Sequence, residues 1–109
     1  MNTNAIPLNC TAYLINMKNG KRTRLDTAEF RIGRTKGNHL VIDNPKVSQC
    51  HAKIRFDFLR GLFLLIDTGS LNHTRINGQA PLAPSRPQPL DHGTRLTLAN
   101  EQFQFFLAC

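Results

Sequence analysis

Apolar and polar residues alternate along this chain in short bursts separated by turn residues, a pattern of strands with no convincing helix. The clearest burst is His51-Ala52-Lys53-Ile54-Arg55-Phe56, where period two predicts Ala52, Ile54 and Phe56 inward and Lys53 and Arg55 outward. Cys10 to Asn16 also alternates, with Cys10, Ala12 and Leu14 on one side, predicting a strand buried on both sides or placed at a sheet edge. Lys18-Asn19-Gly20-Lys21 is a hairpin turn signal, since Asn-Gly accepts positive φ, and Arg22 to Leu25 is its return strand. Short strands follow at Phe30 to Ile32, broken by Gly33, and at Leu40-Val41-Ile42, stopped by Asp43-Asn44-Pro45.

Leu62 to Ile66 is continuously apolar and predicts a central strand covered on both faces. Thr74 to Gln79 reads as a strand entering a second Asn-Gly hairpin. Pro81 to Pro89 holds four prolines, which suits an extended surface connector and no central ladder. Asp91-His92-Gly93-Thr94 turns the chain into Arg95 to Leu98, and Phe103 to Leu107 comes last. Short strands at regular spacing predict an all-β protein, an antiparallel β-sandwich of two twisted sheets.

Length bounds this to one domain: 109 residues supply a single core, assigned to residues 10–109 behind a loose lead-in over residues 1–9. No apolar segment nears the ~20 residues of a membrane span, and Met1 to Leu8 lacks the basic and apolar regions of a signal peptide, so a cytoplasmic protein with no membrane partner is expected. Cys10, Cys50 and Cys109 are odd in number and share no motif spacing, so reduced thiols are expected, with Cys109 exposed and reactive. The net charge of +7 draws anionic partners without choosing among them. Seven Phe and one Tyr, mostly at core-like strand positions, leave few stacking platforms, which makes nucleic acid an unlikely partner despite that charge.

Three polar clusters fall where strands end: Gly33-Arg34, then Ser48-Gln49-Cys50-His51, then Gly69-Ser70-Leu71-Asn72-His73-Thr74, closed by Ile76-Asn77-Gly78. Loop mouths on a rigid scaffold are where binding residues are displayed. Ser48, His51 and Asp67 contain the residue types of a catalytic triad, and Cys50 with His51 those of a thiol pair. Neither has the surrounding motif of such sites, and neighbours on a strand point to opposite faces, so no enzyme is expected. Cys50, His51 and His73 lack the spacing of a metal set, so no cofactor is expected either.

Taken in this order and spacing, the clusters resemble the forkhead-associated (FHA) domain over about residues 12–107. The resemblance implies an FHA/SMAD-like sandwich that recognises phosphothreonine in extended peptides of kinase-substrate proteins, through loops at one end, in signal transduction. It assigns phosphopeptide binding to Arg34, Ser48, Gln49, Leu71 and Asn72, and structural motif roles to Gly33, His51, Asn77 and Gly78. Arg34 offers a planar fork for two phosphate oxygens, Ser48 a hydroxyl and an amide, and Asn72 a carboxamide for the peptide backbone. The chain departs from the family at Gln49, which brings no charge, at Leu71, whose side chain cannot donate, and at His73, which replaces a glycine. Lys36 or Lys46 is a candidate to supply the charge that Gln49 lacks. The alternative is an adaptor of the same fold that docks an unphosphorylated protein.

Overall fold

The computed structural model describes residues 10–109, so the lead-in expected over residues 1–9 lies outside the described residues. Ten strands follow in order: β1 Thr11–Asn16, β2 Arg22–Arg24, β3 Glu29–Gly33, β4 Leu40–Val41, β5 Ala52–Asp57, β6 Leu62–Asp67, β7 Thr74–Ile76, β8 Gln88–Leu90, β9 Arg95–Leu98 and β10 Glu101–Ala108. They form two five-stranded sheets, β2-β1-β10-β9-β7 and β4-β3-β5-β6-β8, packed as a sandwich. Among the described residues no helix is long and apolar enough to cross a membrane.

The core between the sheets follows the alternation. Ala52, Ile54 and Phe56 of β5 are buried there, with Ala12 and Leu14 of β1, Phe30 and Ile32 of β3, Leu96 and Leu98 of β9, and Phe103 and Phe105 of β10. β6 is buried from Phe63 through Asp67, as its unbroken apolar run predicts. β1 is no edge strand: β2 and β10 flank it, and its outward side is only half-buried.

Four details differ from the sequence reading. The pair β3–β4 is parallel, with Ile32 opposite Leu40, so the second sheet is mixed, because the chain returns to the same edge after a six-residue loop instead of a tight turn. The first hairpin closes with Asn16 N–H on the Lys21 carbonyl at 2.9 Å, a wider loop in which Gly20 takes φ +73. The proline-rich segment ends in β8, an edge strand whose Pro89 sits opposite Leu64; at an edge, proline's missing N–H removes no ladder bond. Asn77 and Gly78 do adopt the left-handed turn that their sequence predicts, with φ of 51° and 71°. No return strand follows, however, and β7 pairs with β9.

The expectation of reduced thiols is corrected at the chain ends. β1 and β10 pair so that Thr11 faces Ala108, which sets Cys10 beside Cys109 with Cα atoms 3.9 Å apart, and the two form a disulfide. A separation of 99 residues leaves no spacing signal; only the strand register brings the sulfurs together. Cys50 remains free and exposed. The bond also removes reduced thiols as an argument for a reducing compartment. Reducing it should lower unfolding stability by about 2 kcal/mol, below the ~4.7 kcal/mol chain-entropy ceiling for a loop of ~100 residues, because unfolded chains keep residual structure. Urea melts with and without dithiothreitol test this, and a Cys10→Ser variant should not respond to the reductant.

Candidate functional site

Three loops meet at one end of the sandwich: residues 34–39 after β3, 42–51 after β4 and 68–73 after β6. Backbone bonds splice the first two, with Arg34 N–H on the Ser48 carbonyl at 3.0 Å and Ile42 N–H on the Gly33 carbonyl at 2.9 Å. Gly33 is there because the second loop lies directly on it: a Cβ at this position would stand 2.2 Å from the Gln49 carbonyl oxygen. The third loop is tied in by Leu71 N–H donating to Ser48 Oγ at 3.0 Å and by Asn72 Nδ2 donating to the Lys46 carbonyl at 2.7 Å. Arg34, Ser48 and Asn72, far apart in the chain, therefore belong to one hydrogen-bonded unit.

Within it, Arg34 is exposed and uses only Nε, which donates to the Val47 carbonyl at 3.0 Å. That bond fixes the plane of the guanidinium and leaves both terminal nitrogens without a partner among the described residues. The Ser48 amide is committed, because it donates to His51 Nδ1 at 3.0 Å. Its hydroxyl oxygen accepts from Leu71 and so keeps a proton to give. The Leu71 amide is likewise spent, leaving an apolar side chain 81% exposed beside Ser48. Gln49 is exposed, its carbonyl held by Thr35 Oγ1 and Asn38 Nδ2 and its side chain unbonded among the described residues. Lys36 and Lys46 are exposed on the first two loops.

His51 lies wholly buried beneath these loops. Its Nδ1 accepts the Ser48 amide, which requires the neutral form with the proton on Nε2, and Nε2 donates to the His73 carbonyl at 2.9 Å. Both ring nitrogens are thus taken by backbone, so His51 cannot serve as base to Ser48 or as a metal ligand. His73 takes φ +69, the left-handed conformation that its glycine counterpart implies. Asn77 and Gly78 lie at the far end of β7 from these loops, where Asn77 Oδ1 accepts the Arg95 amide at 2.9 Å.

Two groups that the sequence reading left without a role here hold the loops in shape. Asn38 Nδ2 joins the first loop to the second through Thr35 and Gln49. Asp67, 2% exposed, accepts from the Gly69 and Ser70 amides, the Ser70 hydroxyl and Thr74 Oγ1. The run Asp-Thr-Gly-Ser carries an Asx-turn signal that points to this role. Burial pushes the Asp67 carboxyl up, but the donors from Ser70, Thr74 and the Gly69 amide outweigh it and hold the pKa below the ordinary 3.8. The folded carboxyl therefore gives up its charge at lower pH than the unfolded one. Its contribution is complete above the unfolded value and is lost as pH falls through the lower folded value. Urea midpoints measured from neutral pH into acid should fall more steeply for the native chain than for Asp67→Asn, and parallel curves would refute this.

Against this geometry, the model of the FHA domain matches residues 30–99. The chain belongs to the FHA domain family. FHA domains are non-enzymatic interaction modules of signalling that bind phosphopeptides. The human protein angiogenic factor with G patch and FHA domains 1 is 33% identical over 81 residues, and its mouse counterpart 32%, in each case over 70% of this chain. This FHA domain spans 11% of the length of those curated relatives. Among solved structures, EmbR of Mycobacterium tuberculosis in complex with a low affinity phosphopeptide superposes with a TM-score of 0.82 at 26% identity, over 91% of this chain and 25% of that one. An FHA domain studied for phosphothreonine-dependent interactions has a TM-score of 0.77 at 25% identity, over 88% of this chain and 95% of that one.

Proposed function

We propose that this FHA domain binds threonine-phosphorylated proteins, products of a Ser/Thr kinase, through the three joined loops. The observation that carries the reading is Arg34: exposed, oriented by a single bond to Val47, and with two terminal nitrogens that have no partner among the described residues. A phosphate monoester presents roughly −1.5 to −2 charge and three acceptor oxygens, which a guanidinium fork can take two at a time. Ser48 adds its hydroxyl proton, and the remaining carboxamide groups of Asn72 hold the peptide backbone. Gln49 contributes its side-chain amide, and Lys36 and Lys46 raise the local potential. That EmbR, which superposes on this chain, is in complex with a phosphopeptide supports the reading.

Polarisation titrations with matched peptides carrying phosphothreonine, phosphoserine or unmodified threonine test it. Phosphothreonine should bind most tightly. Phosphoserine should bind roughly fourfold more weakly, since the lost methyl removes about 0.8 kcal/mol of apolar burial against Leu71. Equal binding of the unmodified peptide would overturn the proposal in favour of a phosphate-independent adaptor.

A further inference from the structure

The three loops hold Arg34, Lys36 and Lys46 of the 14 basic side chains, and four of the other eleven stand on the outward face of the sheet β2-β1-β10-β9-β7. On that face stand Arg22 and Arg24 of β2, Arg95 of β9 and Arg75 of β7, three of them exposed and Arg75 half-buried. The register aligns them: Arg24 faces Tyr13, Arg22 faces Ile15, Arg95 faces Gln104, and Arg75 faces Thr97. None makes an ion pair among the described residues. The carboxylates are elsewhere: Glu29 pairs with Lys53 and Arg55, Asp57 with Arg60, Glu101 takes Asn44, Asp67 is buried, and Asp26, Asp43 and Asp91 lie in loops. Four fixed positive charges therefore share one sheet face whose strands carry no outward acid.

The same face holds aromatic rings. Five of the seven phenylalanines are buried, but Tyr13 and Phe106 point outward on adjacent strands, half-buried, with rings near parallel at 17° and centroids 6.2 Å apart. Arg22 lies over Tyr13 at 5.6 Å and His92 packs edge-on to Phe106 at 5.1 Å. Gln102, Gln104 and Thr97 supply donors and acceptors between them.

We propose that this face is a second binding site, for single-stranded nucleic acid. Arginines on three of the sheet's five strands, its two edges included and about 19 Å apart at the usual strand spacing, match the repeated charge of a sugar–phosphate backbone. Outward-facing, half-buried aromatic rings match unstacked bases, and the glutamines match base edges. An acidic polypeptide would satisfy the arginines and leave the rings without flat partners; a duplex keeps its bases inside. The chemistry is common to RNA and DNA.

The test is anisotropy of fluorescein-labelled oligouridine and oligothymidine 12-mers with the whole 109-residue chain, between low and physiological salt. Four contacts predict log K falling against log salt with a slope of about −3. The pair Arg22→Ala, Arg95→Ala should lose tenfold or more and flatten the slope by about 1.4. Phe106→Ala should lose about tenfold with the slope kept. Because the salt slope of the native chain needs no variant, a poorly folded variant does not void the test. Preference for one oligomer identifies the natural source. The proposal is overturned by no binding at low salt, by polyglutamate competing as well as the oligonucleotide, or by binding that vanishes in Arg34→Ala, which would place the strand in the phosphate loops.

Discussion

Arg34→Ala should lower affinity for a threonine-phosphorylated peptide by at least about 3 kcal/mol, roughly 150-fold, while the fold persists. The magnitude follows from two charge-assisted bonds at about 1.5–3 kcal/mol each, discounted because water and the neighbouring lysines recover part of the phosphate's solvation. The substitution removes one bond within the protein, Nε to the Val47 carbonyl, at an exposed position. Stability should therefore shift by no more than about 1 kcal/mol. Arg34→Lys should fall between, since an ammonium keeps the charge but has neither the fork nor an Nε to hold its direction. Calorimetric titration of the three proteins, with thermal melts alongside, separates binding from folding. Full affinity in Arg34→Ala would remove the guanidinium from the site.

Gly33→Ala should destabilise the domain by about 3 kcal/mol, the upper end of what overpacking does, because the new methyl meets backbone and cannot be relieved by a rotamer change. The added carbon would stand 2.2 Å from the Gln49 carbonyl oxygen and 2.8 Å from Asn38 Nδ2. Relief requires the loop 42–51 to lift, which breaks the bonds from Thr35 and Asn38 to that carbonyl. The same movement carries Ser48 away from Arg34, so phosphopeptide affinity falls with stability. Urea denaturation and peptide titration of Gly33→Ala report the two together. Gly37→Ala is the control, because a Cβ there meets nothing within 4 Å.

Much of the sandwich was legible in the residues. The alternation in β5 and the apolar run of β6 marked which side chains enter the core, and Asn77-Gly78 marked its turn, because period two and positive φ are local properties. The loop clusters were legible as an ordered set, with Gly33-Arg34, Ser48 and Asn72 at strand ends. What those residues touch was not. Whether an amide on Ser48 or Leu71 is free depends on partners 3 and 23 residues away, which only the packed loops supply. Asp67 carried a turn signal, yet its buried bond to Thr74 arises because the chain doubles back from β6 into β7.

By itself the amino-acid order determined the strand class, the inward residues, the turns that need positive φ and the three polar clusters whose loops meet at one end. Each of these depends on a residue and its near neighbours. Only the tertiary structure decided the parallel β3–β4 pair, the edge position of β8, the Cys10–Cys109 bond and the gathering of four arginines with Tyr13 and Phe106 on one face. Those features arise from which strands pair and in what register. Pairing is settled by burying one shared core, a property of the whole chain that no short stretch encodes.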